Sequence, residues 1–191
     1  MPRSRIFVLL LALPLACFAH QITGPHTALQ GFLHPLTGMD HLLAMLAVGW
    51  LAAQSGGGKG RTLIPLSFLV GMVMGFGVGV AGFRTGSLEY AVAFSVIALG
   101  GIVAFAVRSR HLWAFTLIAG VCHGLVHGTE MPSSSNTAVF LGSLLASSGM
   151  ILFLGTQAHN LSSKNDAFPA IRFAASGLLV VAGIRFLLGI A

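Results

Sequence analysis

Apolar stretches recur along the chain at residues 36–54, 62–83, 87–107, 111–129, 138–158 and 169–190. Each is near the ~20 residues an α-helix needs to cross the hydrocarbon layer of a bilayer. The breaks between them are short and rich in turn formers, among them Ser55-Gly56-Gly57-Gly58, Pro132-Ser133-Ser134-Ser135 and residues 162–169. No polar segment is long enough to fold alone. The pattern therefore predicts an all-α fold, a polytopic membrane helix bundle of six transmembrane helices in one domain, residues 20–191. Ahead of it, Arg3 and Arg5 precede a short apolar run, residues 6–16, and then Cys17-Phe18-Ala19. A basic start, a run too short to span and small residues before a cut after Ala19 are the marks of a secretory signal. Residues 1–19 are read as a cleavable signal peptide. On the second span, Gly71, Gly75 and Gly79 recur every fourth residue and predict a smooth face for close helix packing.

Composition agrees with lipid as the solvent. The 191 residues are 55% hydrophobic and only 7% charged, against about 25% charged in soluble domains. Cleavage after Ala19 would leave eight basic against four acidic residues, a net charge of +4. It would also leave Cys122 as the one cysteine, so no intrachain disulfide is expected. The basic balance belongs to loops between spans and does not indicate nucleic acid.

Those loop charges predict orientation. With the mature N-terminus outside, in the periplasm of a bacterium, the loops after spans one, three and five are cytoplasmic. They and the adjoining helix start carry Lys59, Arg61, Arg108, Arg110, Lys164 and Arg172. The opposite side has Arg84 in a loop and Arg185 inside the last span. The expected location is the inner (cell) membrane, multi-pass.

Ionisable groups inside a membrane are costly and mark function by default. Asp40 and Glu130, two of the four acidic residues, lie beside histidines in apolar helices. One cluster, His34-Pro-Leu-Thr-Gly-Met-Asp40-His41, opens span one; the other, His123-Gly-Leu-Val-His127-Gly-Thr-Glu130, closes span four. At about 100° per residue, His123, His127 and Glu130 share an arc of roughly 60° on one helix face. Pro35 suits an early helical position, and Thr37 with Asp40 resembles a capping box. Span one runs inward and span four outward, so both clusters fall in the periplasmic half. In both, the end residues are seven apart, about 10 Å of helix, which sets His34 level with Glu130, and Asp40 and His41 level with His123. A metal site centred on Asp40, His41, His123 and His127 is expected, with His34 and Glu130 at its mouth. Neutral imidazoles with carboxylates suit borderline divalent ions such as nickel, cobalt, zinc or copper(II) rather than calcium or magnesium. Affinity is expected to fall as imidazoles protonate below about pH 6.5.

At these residues the chain resembles the HupE/UreJ family of hydrogenase and urease accessory membrane proteins. That family carries a His-x5-Asp-His motif in its first mature helix and Phe-His-Gly-x-[Ala/Val]-His-Gly-x-Glu in a later one. Here the first is His34…Asp40-His41 and the second is Cys122-His123-Gly124-Leu125-Val126-His127-Gly128-Thr129-Glu130, with Cys122 in place of the aromatic. The resemblance covers nearly the whole chain. It implies six helices after signal removal and a secondary permease for nickel, with cobalt in some members, that supplies nickel enzymes. His34, Asp40, His41, His123, His127 and Glu130 carry over as metal residues. Ni2+ is then the expected transported ion, with Co2+ or Zn2+ as alternatives, no prosthetic group is implied, and a cytoplasmic metallochaperone is a candidate recipient.

Other residues are assigned plainer roles. His20 and His26 read as solvated loop histidines, Glu89 as a helix-dipole partner at the start of span three, and His159 as the cytoplasmic end of span five, with a part in metal exit as the lesser reading. Met39 and Met131 read as packing. Gly56-Gly57-Gly58-Lys59-Gly60-Arg61-Thr62 lacks the order of a phosphate loop, so no ATP site is expected. Competing with transport are an intramembrane metal-dependent hydrolase, for which the same clusters could hold catalytic zinc, and a haem protein with paired histidines.

Overall fold

The computed structural model describes residues 27–189; the expected signal peptide, His20 and His26 lie outside them. The described residues form seven helices and no strand: α1 (Thr27–Thr37), α2 (Met39–Gln54), α3 (Gly58–Val80), α4 (Leu88–Ala104), α5 (Leu112–Glu130), α6 (Thr137–Ser162) and α7 (Phe168–Leu187). Four of them, α3, α5, α6 and α7, are long and apolar enough to cross a membrane. α1 and α2 pass that test together, with a 78° bend between them, and α4 is a shorter apolar helix of 17 residues. The stretch 87–107 thus yields less helix than its hydropathy suggests, because α4 stops at Ala104 and Ala106 turns into the left-handed region at φ 47°. The outward surface is apolar, with Leu66, Val70, Met74, Phe94, Ile118 and Phe153 all exposed. In water that would be an aggregation surface; against lipid it is the favoured one.

The start of the first span differs from expectation. Pro35 lies inside α1 and is buried, rather than opening a longer helix. Gly38 is the N-cap of α2, and no side chain caps it. The Thr37 hydroxyl instead donates to the His34 carbonyl at 2.8 Å. The Asp40 carboxylate is occupied by its neighbour His41, accepting from the backbone N–H at 2.9 Å. The capping-box reading of Thr37 and Asp40 is therefore corrected. The break sets His34 on one helix and Asp40 and His41 on another.

Small residues join the helices in pairs. Side chains added at Gly71, Gly75 and Gly79 of α3 would run into the backbone of α5 at Leu117, Val121 and Leu125. Reciprocally, Gly120, Gly124 and Gly128 of α5 face the backbone of Phe68, Met72 and Phe76. The expected glycine face of the second span has a matching glycine face as its partner. Thr116 reinforces the joint by donating to the Ile64 carbonyl at 3.1 Å. α2 and α6 meet the same way through Gly49 and Gly155, and the Thr156 hydroxyl donates to the Gly49 carbonyl at 2.9 Å. α4 packs on α7. Close approach multiplies dispersion contacts, the main attraction available once all surfaces are apolar.

Candidate metal centre

The α3–α5 joint determines where the histidines of α5 go. Gly120, Gly124 and Gly128 occupy the side against α3, and His123 and His127, one residue before the last two, turn to the adjoining side, inside the bundle. Both are buried, each about 1% exposed. Opposite them stands α2. It packs on α6, α3 and α4, whereas α5 packs on α3 and α4. α2 and α5 thus face each other across a gap flanked by shared neighbours, and imidazole rings close that gap.

Four rings form a chain. The centroids of His34 and His127 are 4.8 Å apart, those of His127 and His41 4.3 Å, and those of His41 and His123 4.9 Å. At the outer end His34 Nε2 lies 3.2 Å from Glu130 Oε2, whose side chain is 54% exposed. At the inner end the His123 ring packs on Phe68 at 5.7 Å. His34 stands level with Glu130 and His41 with His123, the register expected from the equal spacing of the two motifs.

Partners of the ring nitrogens sort their roles. His41 Nδ1 is 2.7 Å from Asp40 Oδ1, a carboxylate that can only accept, so Nδ1 carries the proton and the lone pair sits on Nε2. That Nε2 is buried and has no hydrogen-bond partner, nor have His123 Nδ1 and both nitrogens of His127. A buried polar atom left unpaired costs about 1–3 kcal/mol, and four of them converge here. Donor atoms of His34, His127 and Glu130 lie within 4.8 Å of one another. Ligands about 2.0–2.1 Å from one zinc-like ion stand roughly 3.3 Å apart, so the widest gap of this triad needs to contract by up to about 1.5 Å to seize a cation. Asp40 stands behind His41 rather than beside the triad.

Sequence reasoning missed Ser95 on α4. Its hydroxyl lies 3.0 Å from His123 Nε2 and it is buried. The available signal was a single serine in the apolar middle of the helix, and periodicity could not say which way it faced. Glu89 is in the first turn of α4 and, with Glu130, Arg84 and Thr129, lines a cavity of about 370 Å³ beside the outer end of the ring chain. His159 is far along α6, edge-on to Trp50 and Phe168 at 5.1 and 5.4 Å, and its Nδ1 is buried without a partner. Cys122 is a free thiol.

These features define a class: helical membrane proteins with a sunken cluster of histidines and carboxylates near one end of the bundle. The chain belongs to the HupE/UreJ family, whose sequence pattern, described as HupE / UreJ protein, matches residues 8–186. It is 35% identical to Protein HupE of Rhizobium leguminosarum bv. viciae over 194 residues, covering 99% of this chain and 100% of that one. No solved structure matches it.

Proposed function

We propose that the protein is a secondary permease that carries a divalent transition metal, nickel before cobalt or zinc, from periplasm to cytoplasm across the inner membrane. Its role is transport in support of hydrogenase or urease maturation, not catalysis. One observation carries the reading: three histidines hold four buried, unpartnered ring nitrogens, in a chain of rings that His34, 3.2 Å from Glu130, continues outward. Protein does not retain such atoms for stability, since each is a net cost. A borderline cation supplies what they lack. Nickel as the particular ion rests on membership of the HupE/UreJ family and on the likeness to Protein HupE.

In this reading the cation arrives at Glu130 and His34, passes to His127, and continues to His41 and His123. The ligands overlap, so each step exchanges some bonds before others are lost. Sites that hold too tightly would trap the cargo; a chain of partly formed ones releases it forward. Six passes are intended, counting α1 and α2 as one broken span and α4 as a short one, with the mature N-terminus periplasmic after loss of residues 1–19. A proton competes for the same lone pairs, so binding weakens as pH falls.

Proteoliposomes containing only this protein and loaded with a nickel-sensitive dye test the idea. Ni2+ influx is expected for the wild type and is abolished in His41→Ala and His127→Ala. Equal influx in wild type and both variants would end the proposal.

A further inference from the structure

Serine in apolar helices commonly bonds back to its own helix, and Ser147, Ser148, Ser162 and Ser176 do only that here. Ser95 makes the same bond, donating to the Val92 carbonyl at 2.7 Å, and in addition meets His123 Nε2 at 3.0 Å. A hydroxyl has one proton and two lone pairs. With its proton on Val92, Ser95 can only accept from His123, so Nε2 of the neutral ring must bear the hydrogen. The alternative places the ring proton on Nδ1. That atom is buried and faces no acceptor, so the alternative strands an N–H donor at a cost of about 1–3 kcal/mol. Both arguments select one tautomer.

We propose that Ser95 is a positioning residue that holds His123 with hydrogen on Nε2 and its lone pair on Nδ1, presenting Nδ1 as the innermost ligand atom for a divalent transition cation. Asp40 and Ser95 then do matching work from different helices. The carboxylate presets Nε2 of His41, the hydroxyl presets Nδ1 of His123, and the two rings stand 4.9 Å apart. Outer groups of this kind set ligand orientation, and losing one typically weakens metal binding 10–100-fold. Ser95 lies outside both histidine motifs and is about 5% exposed, so its role is invisible to a search for metal-ligand residues. As a statement about metal, the inference rests on the transport reading; as a statement about the tautomer, it stands alone.

Two measurements on lipid-embedded protein test it. The first is 15N NMR of imidazole-labelled, metal-free protein, with the His123 signals assigned by their loss in His123→Asn. Wild type is expected to show a single Nε2–H form, Ser95→Ala a mixture of tautomers, and Ser95→Thr the wild-type pattern. The second is titration with Ni2+, in which Ser95→Ala is expected to bind 10–100-fold more weakly. An Nδ1–H form in wild type, or wild-type spectrum and Ni2+ affinity in Ser95→Ala, overturns the proposal. If the wild type binds no Ni2+, the permease reading fails, and the tautomer comparison still decides what Ser95 does.

Discussion

Both nitrogens of His127 are buried, flanked by the rings of His34 and His41, and bonded to neither. That arrangement separates stability from function at a single residue. Replacing His127 with Leu, of similar volume, removes two unpartnered polar atoms. The metal-free variant is expected to melt at the wild-type temperature or higher, a gain of up to about 1–3 kcal/mol, while losing Ni2+ binding. A metal-free His127→Leu protein clearly less stable than wild type would show that the ring has a structural partner after all. Asp40 offers a different test, because it acts through His41. Asp40→Asn keeps the shape but removes the charge that orders the ring, and Ni2+ affinity is expected to drop 10–100-fold without loss of fold, read by titration beside a thermal melt. At this scale the sequence already pointed to the chemistry: ionisable side chains in apolar helices are too costly to be incidental. It could not separate the orienting role of Asp40 from that of a ligand, since both require a carboxylate next to a histidine.

Among the helices, the α3–α5 joint does most to set the site. Its glycine faces hold α5 in one rotational setting, which keeps His123 and His127 turned into the bundle. Gly75 and Gly77 make a comparison within one helix. A side chain at Gly75 would meet the Val121 backbone, whereas Gly77 has nothing within 4 Å. Gly75→Leu is expected to destabilise the detergent-solubilised protein by several kcal/mol, beyond the ~1–3 typical of overpacking, because backbone rather than side chains must move. Gly77→Leu should be nearly neutral, and size-exclusion profiles with thermal melts distinguish the two. Gly38 is a subtler case. Its φ of −89° suits any residue, but an added Cβ would lie 3.1 Å from both Asp40 Oδ1 and His41 Nδ1. The glycine face of α3 was legible from a four-residue repeat. Its partner face on α5 was not, because glycine there is interleaved with the histidine motif and reads equally well as part of it. The bend at Gly38 was not legible either, since the span expected from residue 36 onward runs across it.

For the whole molecule, an apolar exterior and a histidine-lined gap near one end imply sidedness. In the proposed orientation a cysteine at Glu130 is labelled by an impermeant thiol reagent from the periplasmic face, and one at Lys164 from the cytoplasmic face, in a Cys122→Ser background. Labelling of both from one side would reverse or abolish the topology. The packed helices, not the cation, hold the bundle together in this view. A chelator-treated sample should stay folded, and added Ni2+ should raise its melting point by linkage, about 2.7 kcal/mol at a hundredfold excess over Kd. Collapse on chelation would mean that metal is structural here.

Membrane residence, helical class and the residue types of the candidate site follow from the order of residues alone. Lipid demands continuous apolar helices with internally satisfied backbones, and any ionisable exception then stands out in one dimension. The equal spacing of the two motifs matched the pairs that stand level, although the bend between α1 and α2 means that one continuous helix does not set them. Tertiary structure alone decided how they meet. α2 and α5 meet through their imidazole rings, and α3 and α4, which pack on both, set the distance between their backbones. Ser95 enters from one of those flanking helices. A sequence records which groups a chain owns; the separation between two helices depends on the shape of third parties packed around them, and that is settled only when the whole bundle closes.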